Sequence, residues 1–172
     1  MNSPKLQRLF SILLLSFSGL ILTSCSSGPE SKSEAPYEMS TIHLEQINTE
    51  GIKIFELDSS KVSYTNTSKI IKSFDNVMTI YVDNDIPTYT IKSNSADLID
   101  NGAQILLSGN IQLSSYGNED LLILTEAASW NSLEGFMVLD KNVTAYINSS
   151  FLSSNKAYYF LEDEKINFID FD

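Results

Sequence analysis

Two stretches of this chain carry one pattern at a fixed offset, and that restricts the fold more than any other feature of the sequence. Ile91, Lys92, Ser93, Ala96, Leu98, Ile105, Leu107, Asn110, Ile111 and Leu113 fall without a gap on Ile123, Leu124, Thr125, Ala128, Trp130, Met137, Leu139, Asn142, Val143 and Ala145, at a shift of 32 residues. A weaker copy lies upstream at a shift of 34, through Leu57, Ser59, Val62, Tyr64, Ile71, Asn76, Val77 and Thr79. A partial copy begins at Asn155. A unit of this length is one supersecondary element that cannot cover its own apolar face and must stack on its neighbours.

Within each unit the apolar residues recur at every second position in short runs bounded by Asn, Asp, Gly and Ser, which is the period of a strand. Tyr89 to Ile99 and Ala103 to Ser115 read as a strand pair joined at Asp100-Asn101-Gly102, where Asn-Gly favours the positive φ of a tight turn. Ser108-Gly109-Asn110 then marks a bulge or bend in the second strand. A strand bent halfway can pass from one sheet to a facing one. Stacked units of that kind predict an all-β domain, an open sandwich or jellyroll with one continuous interior slot.

The N-terminus reads as an export signal. Basic Lys5 and Arg8 precede an apolar run from Leu9 to Leu22, and Leu22-Thr23-Ser24-Cys25 follows. That order is secretory. The run is 14 residues, interrupted by Ser11, Ser16, Ser18 and Gly19, against about 20 apolar residues for a bilayer span. An aliphatic residue, two small residues and Cys resemble a bacterial lipobox, so residues 1–24 are expected to be removed and Cys25 to carry a lipid that ties the protein to a membrane. Cys25 is the only cysteine, so no internal disulfide can brace the exported domain. Residues 25–39 are small, polar and Pro-containing and are expected to form a flexible tether, with the domain spanning 40–172.

Loss of residues 1–24 removes two of 11 basic side chains and none of 22 acidic ones, leaving nine against 22, a net −13. A surface so acidic, with no basic stripe, argues against nucleic acid as a partner. His43, the single histidine, has no Cys to join it in a metal or nucleophilic site, and Glu162-Asp163-Glu164 lacks the spacing of a calcium loop. No phosphate loop, nucleophile elbow or catalytic dyad is evident. The sequence therefore predicts no enzyme, no metal and no cofactor.

The pattern Ile91-x-Ser93-x-x-Ala96-x-Leu98, a turn, then Ile105-x-Leu107-x-Gly109-Asn110-Ile111, followed by Leu124-Thr125-Glu126-x-Ala128-x-Trp130 and Lys141-Asn142-Val143, resembles the LptC family over roughly residues 40 to 170. These are periplasmic bridge proteins of the lipopolysaccharide-export ABC transporter, related to the LptA and OstA-like fold. The resemblance implies a jellyroll that receives lipopolysaccharide from inner-membrane transporter subunits and passes it to an LptA-like jellyroll. It also implies that Ile91, Leu98, Ile105, Leu107, Ile111, Leu113, Ile123, Trp130, Met137, Leu139, Val143 and Ala145 face the acyl chains.

Many family members are fixed in the inner membrane by a transmembrane helix, whereas this chain is expected to be periplasmic and held by the Cys25 lipid. The resemblance favours the inner membrane, but Ser26, not Asp, follows that cysteine, so the residues themselves leave the choice of membrane open. The alternation equally suits a packed β-sandwich, and the alternative is an envelope lipoprotein whose solid domain binds other proteins. Exposed sheet edges favour strand addition in either case. One edge is expected around Thr41 to Leu57. The other is expected from Asn155 to Phe171, with Tyr158, Phe160, Ile166, Phe168 and Phe171 supplying the apolar face.

Overall fold

The computed structural model describes residues 36–65, 69–83, 86–117, 120–132, 134–148 and 150–169. Nine antiparallel strands follow one another in a single sheet whose spatial order is the sequence order. They are β1 (Tyr37–Ile47), β2 (Lys53–Thr65), β3 (Ile70–Asp83), β4 (Ile86–Ile99), β5 (Gln104–Ser115), β6 (Leu121–Asn131), β7 (Phe136–Ile147), β8 (Ser150–Phe160) and β9 (Lys165–Ile169). β1 opens ahead of residue 40, the boundary expected from the tether's composition. The segment Thr41 to Leu57 is not one edge strand but parts of two, because a turn at Asn48–Gly51 divides it; the Asn48 Oδ1 accepts the Glu50 and Ile52 amides at 2.9 Å each. The β4–β5 turn forms where Asp100-Asn101-Gly102 predicts it, with φ of 49°, 57° and 88°.

Every strand from β1 to β8 is interrupted near its middle, and the interruptions align. The regular pairing skips Thr41 against Ser60, Ser60 against Asp75 and Asp75 against Asn94. It shifts again at Gly109-Asn110, Glu126 and Lys141-Asn142. Thr41, Asp75, Gly109, Asn110, Lys141 and Asn142 all have positive φ, the signature of bulges that bend a strand. A Cβ at Gly109 would lie 2.8 Å from the Asn94 side chain, so both backbone angle and space demand glycine there.

At three of the bulges a short hydroxyl lies within hydrogen-bond reach of carbonyls that the break leaves without a ladder partner. Ser59 Oγ donates to Lys61 O at 2.9 Å and across the pair to Phe74 O at 2.8 Å. Thr125 Oγ1 does the same with Ala127 O and Asp140 O at 3.2 and 2.8 Å, and Ser154 Oγ with Lys156 O and Ile169 O at 3.1 and 2.9 Å. Buried carbonyls need such partners. Ser59 and Thr125 occupy one position of the sequence repeat, whose Ser93 accepts the Asn76 Nδ2 at 3.3 Å.

This crease folds the sheet onto itself. Phe55 on β2 and Trp130 on β6 lie four strands apart in the ladder, about 19 Å in a flat sheet at ~4.8 Å per strand, yet their rings meet edge-on at 5.8 Å. Tyr89 on β4 and Tyr159 on β8 meet likewise at 5.7 Å. In each pair one residue precedes the crease and the other follows it, so the two half-sheets face each other as the layers of a β-jellyroll. Tyr89 Oη seals them with a 2.6 Å hydrogen bond to Leu161 O, and burial pushes the hydroxyl pKa of both tyrosines up. Gly102 sits against the Phe55 ring, which a Cβ would approach to 3.1 Å.

Candidate functional site

The interior is built by rows running across the strands. One row reads Ser73, Ala96, Leu107, Ala128, Leu139, Ala157 and Phe168, with small and large side chains alternating from Ala96 onward. The adjacent row reads Ile71, Leu98, Ile105, Trp130, Met137, Tyr159 and Ile166. Beyond the crease Met78, Ile91, Leu113, Ile123 and Ala145 form a third. Ten of the twelve residues assigned to the slot from the sequence lie in these rows, Ile111 and Val143 are buried beside the crease, and none of the twelve is more than 3% exposed. The halves therefore stand closed upon each other.

The interior reaches its mouth at a cavity of about 370 Å³ lined both by apolar Ile54, Ile80, Trp130 and Leu161 and by polar Asn48, Lys53, Ser132 and Glu162. Two features there escape sequence reasoning. The indole Nε1 of Trp130 is shielded from water and has no acceptor, an arrangement that costs about 1–3 kcal/mol while it persists. Lys53 lies between carboxylates, with Nζ 3.0 Å from Glu45, a second contact to Glu56, and the Tyr81 ring centroid at 5.3 Å. Glu56 and Glu45 raise its pKa.

The β1–β2 register also brings His43 beside Asp58, with Nδ1 2.8 Å from the carboxylate, and Nε2 3.5 Å from Glu45. Asp58 and then Glu45 raise its pKa. His43, Glu45 and Glu56 could approach a common cation, a grouping hidden in the sequence because Glu56 joins the other two only through the β1–β2 register. The Lys53 ammonium already occupies the space between the two glutamates. The histidine itself is an exposed residue of β1.

Both sheet edges are open among the described residues. β1 presents Tyr37, Met39 and Ile47, each about half exposed. β9 pairs only with Lys156–Phe160 of β8, leaving Ser150–Ser154 as a second, recessed edge with Phe151 and Leu152 exposed. The expected apolar face at this end is split between two surfaces. Ile166 and Phe168 turn inward against the core, whereas Tyr158 and Phe160 sit on the outer face around Phe136, at 5.8 and 5.9 Å. Strand alternation forces the separation, since Tyr159 between them is the buried one. Cys25, the export signal, most of the tether and Phe171 lie outside the described residues.

Among solved structures, the fold is similar to LptH, described as the LptA-homologous periplasmic component of the lipopolysaccharide transport device of Pseudomonas aeruginosa. The TM-score is 0.54 at 12% identity, covering 66% of this chain and 80% of that one. A search of curated proteins finds no significant match. The family model described as lipopolysaccharide-assembly, LptC-related matches residues 9–170, which is nearly the whole sequence and includes every strand of the jellyroll. The chain belongs to the LptC-related lipopolysaccharide-assembly family.

Proposed function

We propose that the two half-sheets part along the crease to admit lipopolysaccharide acyl chains. In this reading the protein holds the lipid between transporter and bridge without altering it. It is a periplasmic transport component and not an enzyme. The observation that carries the reading is the interior itself: largely apolar rows continuous from β3 to β9, with no charged side chain among the buried described residues. Such a lining offers about 0.8 kcal/mol for each CH₂ taken from water. It grips chains without any positive charge, which suits an acidic carrier.

A photoreactive amino acid at Leu107 or Leu139 is expected to form lipopolysaccharide adducts in living cells, while the same probe on the outward Leu106 forms few. Equal labelling at all three positions, or none at the inward pair, would refute the slot and leave a packed protein-binding sandwich.

The anchor belongs to the same proposal. Cys25→Ala is expected to leave an uncleaved precursor that takes up no radioactive palmitate; unchanged uptake excludes Cys25 as the lipid site. Of the two edges, β1 is proposed to face the transporter and the β8–β9 end an LptA-like jellyroll, aligning successive interiors into one path.

A further inference from the structure

We infer that, once the half-sheets part, the cavity at the mouth holds the carbonyl that joins an acyl chain to its headgroup, with the Trp130 indole N–H, shielded while the halves are closed, as donor. This rests on the reading of the interior as a lipid slot and specifies which part of the lipid stops at its end. Trp130 Nε1 is a buried donor without an acceptor on a side chain 2% exposed that borders the cavity. Its nearest aromatic neighbour, Phe55, offers a ring edge-on at 5.8 Å and no oxygen or nitrogen. Buried donors in folded proteins are rarely left this way, and a ligand acceptor would complete the set.

The walls say what kind of ligand. Ile54, Ile80 and Leu161 line the same cavity as Asn48, Ser132 and Glu162, the mixture that the junction of an apolar tail and a polar head requires. Charge then selects among acceptors. Lys53 is already shared by Glu45 and Glu56, and Glu162 adds a further negative charge at the rim, so a phosphate meets net repulsion. A neutral ester or amide oxygen does not. It can accept from the indole while its chain continues past Trp130 and Phe55 into the rows behind them.

The test uses the fact that this chain has one tryptophan, hence one indole N–H signal in a proton–nitrogen NMR spectrum. Full-length protein lacking only the signal segment is titrated with 1-dodecanoylglycerol and with 1-O-dodecylglycerol, which differ at the carbonyl alone. The ester is expected to move the indole proton downfield and to bind about fivefold more tightly than the ether, the worth of one net hydrogen bond. Trp130→Phe should bind both and lose the preference. Should that variant unfold, the wild-type indole shift and ester-to-ether ratio decide alone. Equal binding of the two lipids with an unmoved indole signal overturns the inference and leaves the slot standing. If neither lipid binds and the Leu107 and Leu139 methyl signals stay fixed, slot and inference fall together.

Discussion

Leu107→Ala is expected to lower the midpoint of thermal unfolding by on the order of 10–20 °C, whereas Leu106→Ala, one residue away, should shift it by only a few degrees. Leu107 is 3% exposed and Leu106 is 38% exposed. The difference is one of face, since the strand sends successive side chains to opposite sides. Truncating a buried leucine costs about 2–5 kcal/mol, more when the surroundings cannot collapse into the void. The in-register neighbours of Leu107 are Ala96 on β4 and Ala128 on β6, too short to fill it, so the cost belongs at the upper end. For a domain of this size each kcal/mol moves the midpoint by roughly 3–5 °C. Comparable shifts for the two variants, read by circular dichroism, would overturn the assignment of faces.

Removal of residues 165–172 is expected to reduce capture of an LptA-like partner at least tenfold while transporter binding persists. This cut takes β9, which pairs with one half of β8 alone. A cut at residue 155 would take Ala157, Tyr159 and Leu161 as well, all buried, together with the Tyr89 Oη bond to Leu161 O that holds the half-sheets together. That longer deletion should unfold the jellyroll and lose every partner for an uninformative reason. In the shorter one, provided its strand signal survives, equal loss of both contacts shows that the two ends do not divide the partners between them.

Much of this architecture is legible in the sequence because a strand's period is short and its turns have chemical signatures. Alternation alone places Ile105 and Leu107 on one face, and Asp100-Asn101-Gly102 announces its own hairpin. What the sequence hides depends on register. Gly109 reads as a local bend; only when β5 is paired with its neighbours do Asp75, Asn94, Glu126 and Asn142 fall beside it and the bends become one crease. The hydroxyls at Ser59 and Thr125 are visible as part of the repeat, but the carbonyls they reach on the neighbouring strand, Phe74 O and Asp140 O, are revealed by no periodicity.

The mouth was illegible for the same reason. Lys53, Trp130 and Glu162 come from three separate turns or strand ends, and nothing in their spacing predicts a shared cavity. At the C-terminus, a run as aromatic as Tyr158-Tyr159-Phe160 gives no hint of which ring points inward. Pairing of Tyr159 with Met137 settles it, and with it the outward placement of the other two.

The strictly sequential order of the sheet bears on how such a chain is completed when it emerges N-terminus first, from a ribosome or a translocation pore. Each new strand finds its partner already in place, so the ladder can lengthen hairpin by hairpin with short loop closures. The seal between layers cannot keep pace with that growth. Phe55 waits for Trp130 and Tyr89 for Tyr159, four strands later in each case. Until β6 and β8 arrive, the apolar rows of the earlier strands are finished in pairing and bare on one side. The nascent domain therefore passes through a stage in which it is an open trough. That is when a chaperone has the greatest apolar area to hold.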